Sequence, residues 1–202
     1  MVSEIVVKTL PALLKKKMPL IKELTDPNAS QQLLTAIAEL SNSVQREAMD
    51  VPGLAGMGAT VVLALIQDYH DLIGHMGDSR AYLLRAESLR QLTKDHSIVQ
   101  LLMDQGEITL EEALQHPARG RLTRAVGMDG TSLPEAHSIA LRTGDKLLLC
   151  TDGLTEMLKD EQILSILNNH HLPEKICREL IATAYKAGGK DNITAVVLSI
   201  GA

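Results

Sequence analysis

Apolar positions recur along the chain with two different periods. Leu33, Ile37, Leu40, Val44 and Ala48 follow one another at spacings of four, three, four and four. That spacing puts them on one face of a helix starting near Asn28. Asp26-Pro27 reads as its start, because proline is tolerated in a first turn. Val51 to Gly58, rich in glycine, is expected to end it as a flexible breaker. The pattern then turns strand-like. Ala59–Gln67, Leu72–Met76 and Ala81–Arg85 are short, β-branched or apolar, and joined by turn-forming residues at Asp68–Asp71 and Gly77–Arg80. They predict an antiparallel three-stranded meander. Further on, residues 97–115 predict helix interrupted at Gly106. Glu135–Leu141 alternates as a strand does, and Lys146–Cys150 has the apolar centre of a buried strand. Asp160–Leu167 and Pro173–Ala187 read as helices, the second stopped by Gly188-Gly189. Asn192–Ile200 is the last strand. Residues 1–27, interrupted by Pro11, Pro19 and Pro27 and carrying Lys15-Lys16-Lys17, read as an irregular arm, solvated or forming short helices, with an interaction or membrane-surface segment as the alternative.

Helices that do not alternate with clustered strands argue for an α+β fold with antiparallel sheets. The 202 residues suit one domain, and 45% hydrophobic residues suffice for a core. With no Trp, no Phe and three Tyr, that core must be aliphatic. Twenty basic against 25 acidic residues give a net charge of −5, the wrong footprint for a duplex-binding protein. The apolar run Val61–Ile66 is too short to span a bilayer, and residues 1–8 lack the pattern of a secretory signal. Two cysteines, Cys150 and Cys177, make no disulfide framework, so a reduced cytoplasmic setting is expected.

Three acidic residues stand within two positions of a glycine at strand ends. Asp78 lies in Gly77-Asp78-Ser79-Arg80, Asp152 in Thr151-Asp152-Gly153, and Asp191 in Gly189-Lys190-Asp191-Asn192. Carboxylates in such places suit a hard cation, since Mg²⁺ and Mn²⁺ take oxygen ligands and small neighbours let the backbone approach. Any one alone reads first as a turn aspartate bonding its own backbone; three at strand ends of one small domain shift the reading toward a cation site. Other chemistries drop out. Six residues after Cys150 and Cys177 stand Glu156 and Thr183, so neither cysteine opens a Cys-x5-Arg phosphate loop. There is no G-x-x-x-x-G-K-[ST] loop, no dinucleotide fingerprint and no histidine zinc pattern. His170-His171 read as a solvated helix end.

Six segments in order carry a resemblance. They are Gly58-Ala-Thr60, Gly77-Asp-Ser-Arg-Ala-Tyr-Leu83, Leu92-Thr-Lys-Asp-His-Ser97, Leu122-Thr-Arg-Ala-Val-Gly127, Gly144 to Leu154 and Gly188-Gly-Lys-Asp-Asn-Ile-Thr194. Over residues 28–202 the chain resembles the bacterial protein phosphatase 2C family. The resemblance implies a four-layer α-β-β-α sandwich of two antiparallel sheets, lacking the family's first strands. It implies two Mn²⁺ or Mg²⁺ ions activating a water that attacks a phosphoserine or phosphothreonine phosphorus. Asp152 and Asp191 would be ligands, Asp78 would share a further ion with Asp152, and Asn192 and Gly153 would support them. A flap would lie between Lys94 and Arg124. Partners would be a phosphorylated protein and an opposing serine/threonine kinase, with no nucleic acid.

The resemblance also has a gap. The family's early Arg, acidic motif and Asp-Gly-x-Gly-Gly turn have no counterpart here. The first arginine is Arg46, and Ala55 stands where Gly56-Met57-Gly58 would need the aspartate. Two divalent ions about 3.5–4 Å apart repel without a shared anion. Reduced ion occupancy is therefore expected, as are unpaired sheet edges. A phosphatase-like binding module, or a fragment of a longer enzyme, are the alternatives.

Overall fold

The expected face of the first long helix is the buried one. The computed structural model describes residues 2–17, 23–50, 58–128 and 133–201. Helix α2 (Pro27–Asp50) buries Leu33, Ile37, Leu40 and Val44 completely or nearly so. It packs on a sheet made of β1 (Val61–Gln67), β2 (His70–Met76) and β5 (Glu135–Ala140), in the order β1-β2-β5 and antiparallel throughout. Gly74 makes the approach possible. A Cβ there would lie 2.8 Å from Leu33 Cδ2 and 3.0 Å from Ile37 Cδ1.

The second sheet is β4-β3-β6-β7, formed by β3 (Arg80–Arg85), β4 (Ser88–Gln91), β6 (Lys146–Cys150) and β7 (Ala195–Ser199). On its outer face lie α5 (Asp152–Thr155), α6 (Asp160–Asn169) and α7 (Pro173–Lys186), around Tyr82, Leu148, Leu154, Ile163 and Leu180. Two short helices, α3 (Ile98–Asp104) and α4 (Leu110–Gln115), cross from β4 toward β5. Leu83, Leu141 and Leu147 close the space between the sheets. The layers run helix, sheet, sheet, helix, as the family resemblance implies. Among the described residues β1 pairs only with β2 and β7 only with β6, so both are sheet edges.

Two expectations are corrected. Over residues 2–17 the expected irregular arm is instead a helix, α1 (Val2–Lys17), whose Val2, Val6 and Leu10 enter the α2 core. Pro11 sits on its exposed face. It forfeits one backbone hydrogen bond, while tertiary packing of the apolar stripe holds the helix. Lys17 bonds Glu39 of α2 at 2.9 Å. Second, the three strands do not form one meander. β1 and β2 make a hairpin, and at Gly77 the chain leaves for the other sheet. Gly77 has φ 118°, a region closed to most side chains. A Cβ there would also lie 2.4 Å from Thr60 Cγ2. The turn before β2 is shorter than expected, since His70 and Asp71 already belong to the strand. β4 and α5 went unanticipated, and the 97–115 helix is the pair α3 and α4, separated around Gly106 (φ 71°). The breaker at 51–57 lies outside the described residues. Cys150 is a core residue, its thiol pushed up to about 12 by burial, and no helix among the described residues is long and apolar enough to cross a membrane.

Asp71 is the anomaly of the interior. It is fully buried, and neither carboxylate oxygen has a protein partner. Burial pushes its carboxyl up to about 7, although the nearby Leu72 backbone N–H, outside hydrogen-bond geometry, pulls the other way. Between pH 4 and 7 the folded chain therefore holds a proton that the unfolded chain releases, so this group costs stability as pH rises. Asp71→Asn is expected to gain on the parent in urea midpoint as pH goes from 5 to 8. A constant difference across that range would show that the carboxyl titrates normally.

Candidate metal centre

The three aspartates come together by separate routes. Asp78 follows β2 in the turn that crosses between sheets. Asp152 opens α5 directly after β6, and Asp191 precedes β7, the neighbour of β6. Thr151 joins the last two segments: its Oγ1 donates to the Asn192 carbonyl at 3.1 Å and accepts from the Thr194 N–H at 3.0 Å. Gly153 lets them touch, since a Cβ there would lie 2.4 Å from the Asn192 carbonyl oxygen. Asp191 Oδ1 accepts from the Asn192 backbone N–H at 2.6 Å and lies 3.4 Å from its side-chain Nδ2.

Electrostatics record the convergence. The Asp78 carboxyl is pushed up to about 6, first by burial, then by the negative charges of Asp152 and Asp95. Asp152 is raised too, by burial and then by Asp191 and Glu156. Each carboxylate thus disfavours the charge of the next, which a divalent cation would reverse. An all-oxygen donor set, with Asp78 and Asp152 half-buried and Asp191 exposed, fits Mn²⁺ or Mg²⁺.

A group unrecognised in the sequence secures the Asp78 turn. Each of three residues after β4 takes one residue around it. Thr93 Oγ1 accepts from the Ala81 N–H at 3.1 Å, and Asp95 takes both arms of Arg80 at 2.8 and 2.7 Å. His96 holds Gly77 twice: its N–H donates to the Gly77 carbonyl at 2.9 Å, and its Nδ1 accepts from the Gly77 N–H at 3.1 Å. On the other side Thr60 and Ser79 hydroxyls meet at 2.8 Å. The run Thr93-Lys-Asp-His96 was legible only as part of a resemblance. Nothing in its spacing says which turn it grips.

Among the described residues, the donor set that closes to within 4.8 Å is not the three aspartates but His75, His96 and Glu135. These are not three free ligands. A backbone N–H can only donate, so His96 Nδ1 is an acceptor, and its neutral ring carries the proton on Nε2. That nitrogen lies 3.3 Å from Glu135 Oε1 and equally 3.3 Å from Arg124 Nη1. Arg124 donates to the same oxygen at 2.8 Å and adds a fixed positive charge. His75 likewise gives its Nε2 proton to the Lys94 carbonyl at 2.9 Å, leaving a buried, unpartnered Nδ1.

Two stacked antiparallel sheets between helices, with carboxylates gathered at adjoining strand ends, define a phosphatase 2C-type domain. Comparison with known proteins agrees. Residues 6–201 match the stage II sporulation protein E (SpoIIE) family. The serine/threonine phosphatase stp of Listeria monocytogenes is 37% identical over 175 residues, which are 87% of this chain and 69% of the relative. The structure of the Mycobacterium tuberculosis serine/threonine phosphatase PstP/Ppp superposes with a TM-score of 0.84 at 34% identity, covering 100% of this chain and 83% of that one. The PstP catalytic domain in complex with two manganese ions gives a TM-score of 0.82 at 33% identity, covering 100% of this chain and 81% of that one. The chain belongs to this family of phosphatase 2C-type serine/threonine protein phosphatases.

Proposed function

We propose that this chain hydrolyses phosphoserine or phosphothreonine on proteins, using Mn²⁺ or Mg²⁺ held by Asp78, Asp152 and Asp191. The observation that carries the reading is the placement of these carboxylates at one end of the β3-β6-β7 array, where the Asp152 charge raises Asp78 and the Asp191 charge raises Asp152. Bound divalent ions supply a water of lowered pKa and offset the phosphoryl charge. Asp152 and Asp191 hold the main ion site, Asp78 with Asp152 holds a further ion, and Asn192 orients the Asp191 carboxylate through its hydrogen bonds. Gly153 keeps the Asp152 and Asp191 segments in contact. The substrate is a phosphorylated protein made by a serine/threonine kinase, and the two free cysteines suit a reduced cytoplasm.

A second reading rests on a specific observation: the three aspartates do not close to a ligating cluster as the histidine group does. On that reading the domain binds a partner without turnover. Phosphate release from a phosphothreonine peptide with Mn²⁺ separates the two. The enzyme reading expects a metal-dependent rate that Asp152→Asn lowers at least about 100-fold. No rate above buffer from the parent chain would overturn it in favour of the binding module.

A further inference from the structure

We propose that His96 is the positioning residue for Asp78: its ring and backbone together hold Gly77, and so set where the Asp78 carboxylate points. This rests on the reading of Asp78 as an ion ligand.

The grip has three parts. First, Gly77 is held at both its polar backbone groups by one residue, N–H to Nδ1 and C=O from N–H. With both ends fixed, the peptide plane leading into Asp78 has little freedom to rotate. Second, His96 is itself fixed. It is 5% exposed, its carbonyl accepts from the Thr123 N–H at 2.8 Å, and its ring stacks on His75 with centroids 4.5 Å apart. Third, the ring must be the tautomer with a bare Nδ1, because the Gly77 N–H can only donate; its Nε2 lies 3.3 Å from both Glu135 Oε1 and Arg124 Nη1. Glu135 is in turn pinned by Arg124 at 2.8 Å. The order Arg124–Glu135–His96–Gly77 thus runs from the end of the Leu122-Thr-Arg segment to the metal-binding turn. An imidazole that fixes a ligand-bearing loop follows the logic by which outer hydrogen bonds tune a metal site.

Thr60 closes the opposite side. Its side chain packs where any Cβ on Gly77 would go, so the turn cannot relax away from His96 by swinging outward. The motif residues Gly77, Thr60 and His96 therefore make one device, with the glycine as its moving part.

Two variants and two readouts test this. Asparagine places its Oδ1 near the position of the imidazole Nδ1 and keeps the acceptor. Leucine keeps bulk and loses it. In ¹⁵N-labelled, metal-free protein, His96 should show a bare Nδ1 and a protonated Nε2, with a measurable nitrogen–nitrogen coupling across the hydrogen bond to Gly77. In Mn²⁺ titrations followed by electron paramagnetic resonance, Asp78→Asn should remove an ion. His96→Leu should weaken that same ion about 10–100-fold, while His96→Asn stays within about threefold of the parent. A His96 ring protonated on Nδ1 in the folded protein would overturn the proposal without any metal present. So would equal Mn²⁺ binding by the parent and His96→Leu where Asp78→Asn has lost the ion. If Asp78→Asn binds Mn²⁺ as the parent does, Asp78 is no ligand, and the proposal falls together with the reading beneath it.

Discussion

Gly153→Ala is expected to open the proposed metal centre from its floor. The added Cβ would stand 2.4 Å from the Asn192 carbonyl oxygen and 3.0 Å from its carbonyl carbon. These are backbone atoms, so no side chain can swing aside. Either α5 lifts, which drags Leu154 out of a fully buried seat, or the 191–194 segment moves away from Thr151. The second route breaks two short bonds to the Thr151 hydroxyl and the backbone bond between the Thr151 N–H and the Thr194 carbonyl. Overpacking of this kind costs about 1–3 kcal/mol, or roughly 3–10 °C in thermal midpoint for a domain of this size. Asp152 and Asp191 are separated by either route, so Mn²⁺ affinity should fall by more than about tenfold. Differential scanning calorimetry and a Mn²⁺ titration on the same sample check both. A midpoint and affinity equal to the parent's would show that the two segments do not touch as described.

Arg85→Met is expected to cost about 2–4 kcal/mol, the buried-pair figure reduced for a guanidinium partly open to water. Arg85 lies at the end of β3 and holds Asp145 with two bonds, Nε at 2.9 Å and Nη2 at 2.6 Å. The same Nη2 donates to the Ala140 carbonyl of β5 at 2.7 Å. One side chain thus joins the two sheets. Asp145 is 2% exposed, so removing its partner strands a charge. Burial alone would raise the Asp145 carboxyl, but hydrogen bonds from Arg85 and the Arg142 N–H hold it below the usual range. A carboxyl lowered on folding contributes stability above its unfolded value and loses it as pH falls through the folded one. The gap between variant and parent should therefore narrow below about pH 4. Urea unfolding at pH 7 and pH 3 measures it. A gap that persists at pH 3 would mean the cost is lost packing, not a stranded carboxylate.

Much of this molecule was legible before any folding was considered. The α2 face was set by spacing alone, because a stripe recurring every three or four residues has only one way to be buried. The β6 run Leu147-Leu148-Leu149 and the α7 stripe Ile176, Leu180 and Ala184 were read the same way, and all but half-buried Leu149 are core. The three aspartates stood out as a set, because one such residue is an ordinary turn aspartate but three at strand ends of one small domain suit a hard cation. Six ordered segments then identified the family.

What the pattern could not contain was partnership. Strand pairing depends on residues far apart in sequence, so nothing local said that β2 and β3, separated by three residues, belong to different sheets. The Gly77 conformation that sends the chain across is imposed by Thr60 and His96, whose contacts exist only after both sheets form. The prolines made α1 look irregular, whereas the packing of Val2, Val6 and Leu10 on α2 outweighs the one bond that Pro11 gives up. The roles of Thr93, Asp95 and His96 were invisible for the same reason. A hydrogen bond has no signature in sequence until folding brings donor and acceptor within 3 Å or so of each other. Composition, periodicity and turn chemistry determined the elements and the kind of chemistry. Tertiary structure alone decided which carboxylates meet and what holds them in place.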